Sequence, residues 1–357
     1  MKLTIFSKLT QVIVVGLLSS LMVLPAAIWL THKFDIIDYP GSVPRKIHTK
    51  PTPRAGGIII VISLIIIFSI FGLWKESNIM AIFLPGLFIF VFAILDDKKG
   101  LSASIKLLGQ FMAVTLLIIL GVRVKFLESP TFFIQLPNQI AFTIDIIITY
   151  FWVVGITNAM NLIDSMDGLV VGIGSLISLS LLFVTIFSNQ INLTLFCASI
   201  LGIMIGISLF NNAPAVIFMG DSGAQLIGFI LSVICILYHP PQAYQSSSWL
   251  TPILFFGFPI FDTSLVALSR IKRGMKFYKG NLDHTYHRLV MMGMTSGRAV
   301  KFLQIITIFW CLLGIIAVDQ EPLISNLLLL FYMVICVLCY IYLERKYDIY
   351  LSEQNQK

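Results

Sequence analysis

Residues 169–188 read LVVGIGSLISLSLLFVTIFS, a run of 20 residues without a charged side chain. Such a run is typical of a helix that crosses the hydrocarbon core of a bilayer, which takes roughly 20 apolar residues. No water is present there to bind exposed backbone groups, so the segment must satisfy its own hydrogen bonds as a helix. The run therefore predicts a membrane-spanning helix.

The same pattern recurs along the whole chain. Of its 357 residues, 58% are hydrophobic and only 11% are charged, whereas soluble domains average about 45–50% apolar and about 25% charged residues. The mean hydropathy is +0.94. We predict an all-α polytopic membrane protein with about 11 transmembrane helices, in one integral domain over residues 1–357. The candidate spans are 9–30, 57–73, 79–95, 107–122, 139–157, 169–188, 193–210, 224–239, 249–269, 302–318 and 324–343.

The first apolar stretch has two interpretations. Lys2 and Lys8 precede the apolar run VIVVGLLSSLMVLPAA, an arrangement that also occurs in signal peptides. The run continues through Ile28 to Leu30 and leads into a loop rich in charged residues. We therefore interpret it as a membrane span.

The basic residues indicate the orientation of the chain. Segments 31–56, 96–106, 270–301 and 344–357 hold 19 of the 24 lysines and arginines. Because lysine and arginine accumulate in cytoplasmic loops, we predict that the N-terminus lies outside and the C-terminus in the cytoplasm. This asymmetry accounts for the net charge of +7, so we expect no nucleic-acid partner.

Acidic residues are concentrated in three short loops on the predicted cytoplasmic face. These loops are LDDKKG (95–100), NAMNLIDSMDGL (158–169) and FMGDSG (218–223). One such loop could simply mark the membrane surface, but three on one face favour a shared ligand. Carboxylate and amide oxygens suit Mg²⁺, which usually takes one or two protein carboxylates together with substrate phosphates.

Polar residues recur at every third position of NAMNLIDSMDGL. If this segment continues the preceding helix, Asn158, Asn161 and Asp164 form one polar stripe, each about 60° from the last. Charged groups in such a stripe cannot face lipid, where each costs several kcal/mol. We expect the stripe to face water, a cation or a charged ligand, and Gly168 to end the helix.

Basic residues form two further loops, PRKIHTKPTPRAGG (44–57) and HTYHRL (284–289). Attraction to lipid headgroups, about 1 kcal/mol per cation, would explain their charge but not the Pro-Thr-Pro frame or the paired histidines. The HxxH spacing alone is a weak zinc signal, because no third ligand follows at a suitable distance. Acidic loops for Mg²⁺ and basic loops for phosphates indicate phosphoryl transfer, with a lipid as one substrate.

The chain resembles the polyprenyl-phosphate N-acetylhexosamine-1-phosphate transferases, the glycosyltransferase 4 family. The resemblance implies transfer of a sugar 1-phosphate, most often that of GlcNAc, from a UDP-sugar to undecaprenyl phosphate with release of UMP. It also implies a bacterial cytoplasmic membrane, an active site on the cytoplasmic face, and the first step of an O-antigen, common-antigen or teichoic-acid type polysaccharide. Five blocks in the family's order carry the resemblance: residues 38–57, 96–110, 158–169, 218–229 and 283–299.

The resemblance also implies roles for individual residues. Mg²⁺ is the implied cofactor, with Mn²⁺ as an alternative, and a two-step route through an aspartyl-phosphate stays open beside direct transfer. The implied catalytic residues are Asp96 and Asp97, and the implied metal ligands are Asn161 and Asp221. The implied substrate-binding residues are Asn158, Asp164, Asp167, Lys46, Lys50, His284, His287 and Arg288.

Three alternatives remain open. Tyr286 stands where many members carry histidine and Asn281 where many carry aspartate, so another UDP-N-acetylhexosamine could be the donor. A cation-coupled transporter could use Asp145 and Asp262, which fall within predicted spans. Transporters, however, gather polar groups near the bilayer midplane, not at one surface. The third alternative concerns oligomeric state: the protein could be a homodimer, since no feature of the sequence decides the number of subunits.

Overall fold

The computed structural model describes residues 2–40, 50–128, 136–239, 252–275, 282–318 and 320–355. In these ranges the chain is mostly helical, and each predicted apolar stretch overlaps a helix. The short helix Thr285–Met291 has no counterpart among the predicted stretches. The helices are α1 (Lys2–Phe34), α2 (Gly56–Phe71), α3 (Ser77–Lys99), α4 (Ala103–Ile119), α5 (Asn138–Ile163), α6 (Leu169–Phe187), α7 (Ile191–Asn211), α8 (Gly220–Leu237), α9 (Gly257–Lys272), α10 (Thr285–Met291), α11 (Ser296–Val318) and α12 (Pro322–Asn355).

Eight of the described helices are long and apolar enough to cross a bilayer, namely α1, α3, α5, α6, α7, α8, α11 and α12. Helices α2 and α4 are apolar but shorter. The chain is therefore an all-α, multi-pass membrane protein, as predicted. The number of spans and the side on which each terminus lies stay predictions.

Helix α8 lies at the centre of the bundle and α12 at its edge. In the apolar 18-residue stretch of α8, 83% of the residues are buried, compared with only 11% in that of α12. Helices α2, α3, α5 and α6 all pack against α8. Gly57 of α2 permits the closest of these approaches, because a Cβ atom there would lie 2.6 Å from Oγ and 2.8 Å from the backbone carbon of Ser222 at the start of α8. The residues at the start of α8 are consequently held by several helices at once.

Helix α1 is an integral part of the described bundle. It packs along α7 and α2. A Cβ atom on Gly202 of α7 would lie 2.3 Å from the carbonyl oxygen of Ile13, so the two helices touch backbone to backbone. This packing agrees with the interpretation of the first apolar stretch as a membrane span.

A small antiparallel sheet lies at the end of the bundle where α8 begins. Its strands are β1 (Ile37–Asp38) and β2 (Thr52–Pro53). Beyond β2, Arg54 forms a parallel bridge with Phe218, just before α8. The backbone N–H of Phe218 donates to the carbonyl of Pro53, with N and O 2.9 Å apart. The sheet thus places Asp38 and Arg54 beside the N-terminus of α8.

The prediction that NAMNLIDSMDGL stays helical as far as Gly168 is wrong. Helix α5 ends at Ile163, and Asp164 leaves it with φ −77° and ψ 56°. Gly168 does turn the chain, with φ of +75°, and α6 follows. Asn211 holds this turn through the N–H of Gly168, which donates to its Oδ1 at 3.2 Å. Tertiary bonds therefore stop the helix earlier than the periodicity suggests.

The acidic residue inside α5 has a structural role at the far end of the bundle from α8's N-terminus. Asp145 is fully buried. Its carboxylate accepts the N–H of Leu127 at 3.0 Å and that of Glu128 at 3.2 Å. It therefore fixes the loop after α4, so its position inside a helix does not require a transport path.

Candidate active site

Four carboxylates lie where α3 and α5 end and α8 begins, and we call Asp96, Asp97, Asp164 and Asp221 the acidic cluster. Asp96 and Asp97 occupy the last turn of α3, which runs on to Lys99 where the sequence predicts a loop. The charges of Asp221 and Asp97 both act on Asp164. All three predicted acidic loops thus meet at one place.

Asp97 holds the N-terminus of α8. Its Oδ1 accepts the N–H of Asp221 and its Oδ2 accepts that of Ser222, both at 2.9 Å. Arg54 adds a contact from Nη1 to Oδ1 at 3.2 Å, and its Nη2 pairs with Asp38 at 2.7 Å. Burial alone would lower the pKa of Arg54, but the charges of Asp97 and Asp38 outweigh burial and raise it. Both oxygens of Asp97 are thereby engaged, and its side chain has no exposed surface.

Lys106 joins two other carboxylates of the cluster. Its Nζ contacts Oδ2 of Asp96 and lies 2.8 Å from Oδ2 of Asp221. Asp96 also accepts the N–H of Leu101 at 2.6 Å. The side chains of Lys106 and Asp221 keep 30% and 29% of their surface exposed, whereas that of Asp96 keeps 3%. This ammonium and the Asp221 carboxylate are therefore the accessible part of the cluster.

Three amide side chains lie beside Lys106. Asn158 donates from Nδ2 to Oε1 of Gln110 at 2.7 Å. Gln110 donates from Nε2 to Oε1 of Gln225 at 3.0 Å. The structure thus uses Asn158, predicted to bind substrate, to join α5 to α4 and α8. A narrow crevice next to these amides is lined by Ile89, Phe92, Ala93, Lys106, Gln110 and Gln225.

The predicted metal and nucleotide residues at the end of α5 and in the turn after it have different surroundings. Oδ1 of Asn161 is buried without a hydrogen-bond partner in the described part of the chain. Loss of hydration, and then the charges of Asp221 and Asp97, raise the pKa of Asp164 well above its usual range. Asp167 accepts the N–H of Ala215 at 3.1 Å and so holds the loop before α8.

The predicted histidines form a second cluster around α10. Nδ1 of His284 lies 2.8 Å from Oδ2 of Asp262. His287 follows on α10, where its Nε2 lies 2.7 Å from the hydroxyl of Tyr286. The residue that departs from the common family pattern is thus the partner of one of the predicted histidines.

Arg288 makes hydrogen bonds and a ring contact with residues of the protein itself. It donates from Nη1 to Glu344 and from Nη2 to Oγ of Ser269, each at 2.7 Å. Its Nε donates to the carbonyl of Asp283 at 2.9 Å, and its guanidinium lies over the ring of Tyr347. Only 2% of the residue is exposed. Arg288 therefore connects α10 to α9 and α12. Its contact with substrate stays a prediction.

The predicted basic residues of the first loop are only partly described. Lys46 lies outside the described residues. Lys50 is exposed, two residues before β2. Among the described residues of this loop, Arg54 reaches the acidic cluster, and it was not among the predicted site residues.

Sequence reasoning also missed Lys106 and Gln110. Both lie within the block DDKKGLSASIKLLGQ, which carries part of the resemblance. The available signal was a lysine at the start of an otherwise apolar helix, since such a charge is rarely left facing lipid. Its two carboxylate partners could not be identified from spacing, because Asp221 lies 115 residues further along the chain.

Within the described ranges, no set of three or more Asp, Glu, His or Cys side chains forms a metal site. The acidic cluster therefore offers individual oxygen ligands without a closed coordination sphere. Mg²⁺ at Asn161 and Asp221 accordingly stays a prediction.

Fold and site together define a multi-pass membrane protein with carboxylates and cations gathered at the end of a central helix. Residues 79–239 match the family model described as Glycosyl transferase family 4. A probable undecaprenyl-phosphate N-acetylglucosaminyl 1-phosphate transferase of Bacillus subtilis is 31% identical over 307 residues, which cover 85% of this chain and 83% of that protein. The chain belongs to glycosyl transferase family 4, which confirms the resemblance seen in its sequence.

Two further relatives show how far the similarity extends. A decaprenyl-phosphate N-acetylglucosaminephosphotransferase of Mycolicibacterium smegmatis is 28% identical, with 82% of this chain and 78% of the relative covered. A phospho-N-acetylmuramoyl-pentapeptide-transferase of Listeria welshimeri is also 28% identical, with 71% and 81% covered. The similarity thus extends to relatives whose names give different sugar-phosphate groups.

Proposed function

We propose that this protein transfers N-acetylglucosamine 1-phosphate from its UDP-sugar to undecaprenyl phosphate, releasing UMP, on the cytoplasmic side of a bacterial cytoplasmic membrane. The product would start a cell-envelope polysaccharide. The observation that carries the proposal is Lys106, held between Asp96 and Asp221 where α3, α4 and α8 meet. Relatives named for transfer to undecaprenyl and decaprenyl phosphate support the reaction. Another UDP-N-acetylhexosamine is the alternative donor.

The surroundings of Lys106 suit a lipid phosphate. Its neighbours include the amide side chains of Gln110 and Gln225 and the apolar side chains of Ile89, Phe92 and Ala93. A polyprenyl phosphate has the same division, with a charged end joined to a hydrocarbon chain. We therefore assign the Lys106 side of the cluster to the acceptor.

The two adjacent aspartates receive different roles in this proposal. Asp97 has both oxygens engaged by backbone N–H groups and Arg54, so it holds the N-terminus of α8 in place. Asp96 also accepts a backbone N–H, that of Leu101, at Oδ1, but its Oδ2 is paired with the partly exposed Lys106 and with no backbone group of the described residues. We assign Asp96 to orienting the acceptor phosphate or taking its proton. An aspartyl-phosphate on Asp96 is the two-step alternative.

Asn161 and Asp221 fit Mg²⁺ in their chemistry. Oδ1 of Asn161 is a buried acceptor that the described residues leave without a donor. Asp221 supplies a carboxylate with an exposed edge. Amide and carboxylate oxygens are ligands that Mg²⁺ prefers, and Mn²⁺ accepts them too. A divalent ion bound there would supply charge neutralisation for the pyrophosphate of the donor.

The reaction itself needs little covalent participation by the protein. An oxygen of the lipid phosphate forms a bond to the sugar-bearing phosphorus, and the bond from that phosphorus to the bridging oxygen of UMP breaks. UMP leaves with the electron pair. The role of Lys106 is to offset the negative charge of the approaching phosphates, and that of Asp96 is to orient the attacking one.

The test is transfer of label in membranes that contain the protein, undecaprenyl phosphate, Mg²⁺ and one labelled UDP-sugar at a time. We expect label from UDP-GlcNAc to enter the lipid fraction with release of UMP. EDTA and the substitution Asp221→Asn should each abolish transfer. Asp348→Asn is the matched control, because its carboxylate is exposed on α12 and binds Lys272 and Arg273.

The outcomes separate the parts of the proposal. Label from a different UDP-sugar alone would keep the reaction and change the donor. Full transfer by Asp221→Asn would exclude Asp221 as a metal ligand. No transfer from any donor, in protein shown to be folded, would refute the proposed function.

A further inference from the structure

Asp262 lies on α9 outside the acidic cluster, and nothing in the proposed reaction requires it. It is 1% exposed. Its Oδ2 lies 2.8 Å from Nδ1 of His284, and its Oδ1 accepts the N–H of Thr285 at 2.7 Å. Thr285 is the first residue of α10. One buried carboxylate therefore fixes both the imidazole of His284 and the start of the helix that follows.

This contact determines which ring nitrogen of His284 carries hydrogen. A carboxylate offers only acceptors, so Nδ1 must be the donor. A carboxylate that binds one ring nitrogen in this way sets the tautomer and the orientation of the ring. Nε2 of His284 has no hydrogen-bond partner among the described residues, whereas Nε2 of His287 is bound to Tyr286.

We propose that Asp262 is a positioning residue for the transferase. It holds His284 with hydrogen on Nδ1 and anchors the first turn of α10, so that Nε2 is the nitrogen left for the sugar-nucleotide. This role rests on the proposed function, because the donor is the ligand that His284 would meet. Asp262 itself touches no substrate and acts through His284.

Asp262→Asn separates this role from simple packing. The N–H of Thr285 is always a donor, so the oxygen of the new amide has to face it. The amide nitrogen then faces Nδ1 of His284, which can accept a hydrogen bond only when Nδ1 is unprotonated. The substitution keeps the size of the side chain and moves the hydrogen of the imidazole from Nδ1 to Nε2.

Nitrogen NMR on histidine-labelled protein in lipid bilayers measures this directly. The chain has five histidines, and the His284 signals are identified by their loss in His284→Gln. We expect a protonated Nδ1 in the wild type and an unprotonated Nδ1 in Asp262→Asn. An unprotonated Nδ1 in the wild type would overturn the proposal even if the variant failed to fold.

Kinetics then test whether the contact acts on the donor. We expect Asp262→Asn to raise KM for the UDP-sugar about tenfold, with a smaller change in kcat, as expected for loss of a bound-state contact. In a His284→Gln background the same substitution should change KM less than twofold, because its target is gone. Equal effects in both backgrounds would overturn the positioning role.

Asp145→Asn provides the matched control. Asp145 is also a buried acid that accepts backbone N–H groups, but at the opposite end of α5 from the acidic cluster. It should leave KM for the donor unchanged. A wild type inactive with every UDP-sugar would refute the proposed function, while the NMR result would still decide the Asp262–His284 contact.

Discussion

Asp97→Asn tests whether Asp97 stabilises the N-terminus of α8. The carboxylate accepts two backbone N–H groups, those of Asp221 and Ser222, and a contact from Arg54. An asparagine in the same place has one oxygen and one amide nitrogen. Its oxygen can replace one of the two backbone bonds, but its nitrogen cannot accept the other. One buried N–H is therefore left without a partner, and Arg54 loses part of its countercharge.

The expected cost follows from these two losses. An unsatisfied buried N–H costs about 1–3 kcal/mol, and a lost hydrogen bond to a charged group costs about 1.5–3 kcal/mol. Removal of one negative charge from the acidic cluster opposes these losses and reduces the sum. We expect a net destabilisation of about 3 kcal/mol. At about 2 °C per kcal/mol for a large domain, Tm should fall by about 6 °C.

The measurement is thermal unfolding in detergent, followed by transfer activity at a temperature where the variant is folded. We expect activity to fall about 100-fold, because the start of α8 that carries Asp221 is no longer held by both oxygens, and a misplacement of about 1 Å can cost that factor. Asp145→Asn is the control. It removes a comparable carboxylate from backbone N–H groups and should lower Tm, but should leave activity intact because it lies far from the cluster.

The sign of the change in Tm decides the interpretation. If Asp97 were a strained catalytic acid without structural bonds, its neutralisation would relieve repulsion with Asp221 and raise Tm. An unchanged or higher Tm for Asp97→Asn would therefore refute the role assigned here, whatever the change in activity.

Two further substitutions address the remaining cations. Lys106→Met should lower turnover about 10²–10³-fold, because it removes a donor that offsets phosphate charge. The control Lys99→Met changes an exposed lysine near the end of α3 and should change turnover less than twofold. Near-normal turnover of Lys106→Met would contradict the assignment of Lys106 to the acceptor phosphate. Arg288→Met should destabilise the protein by about 1–3 kcal/mol, because Glu344 loses one buried partner but keeps Arg273. The measurement is Tm, compared with that of the exposed Arg345→Met. A Tm equal to that of this control would show that the contacts of Arg288 contribute little.

Helix positions could be predicted because the requirement for them is local. In a bilayer each apolar segment must close its own backbone hydrogen bonds, so hydropathy alone locates it. The run at residues 169–188 corresponds to α6 within one residue. Helix ends were less predictable. Asp164 falls outside α5 because the turn is held by Asn211, a residue whose position the local sequence does not reveal.

The pairing of charges could not be predicted, because it joins residues far apart in the chain. Asp97 meets the start of α8 across 124 residues, and Lys106 meets Asp221 across 115. Spacing identifies which residue types could bind phosphate or metal, but not which carboxylate is already occupied by the protein. Arg288 illustrates the point, since its motif indicates a ligand contact whereas its burial shows structural partners.

The sequence by itself determined a helical membrane protein, its family, and the segments that supply the acidic cluster, because composition and short motifs carry that information locally. The tertiary structure decided which side chains of the acidic cluster are bound to the protein and which are accessible to a ligand. Packing around α8 engages Asp97 completely and leaves Asp221 and Lys106 accessible. It also places Asp262 against His284. These distinctions depend on which donors reach which oxygens, and only the packed helices determine that.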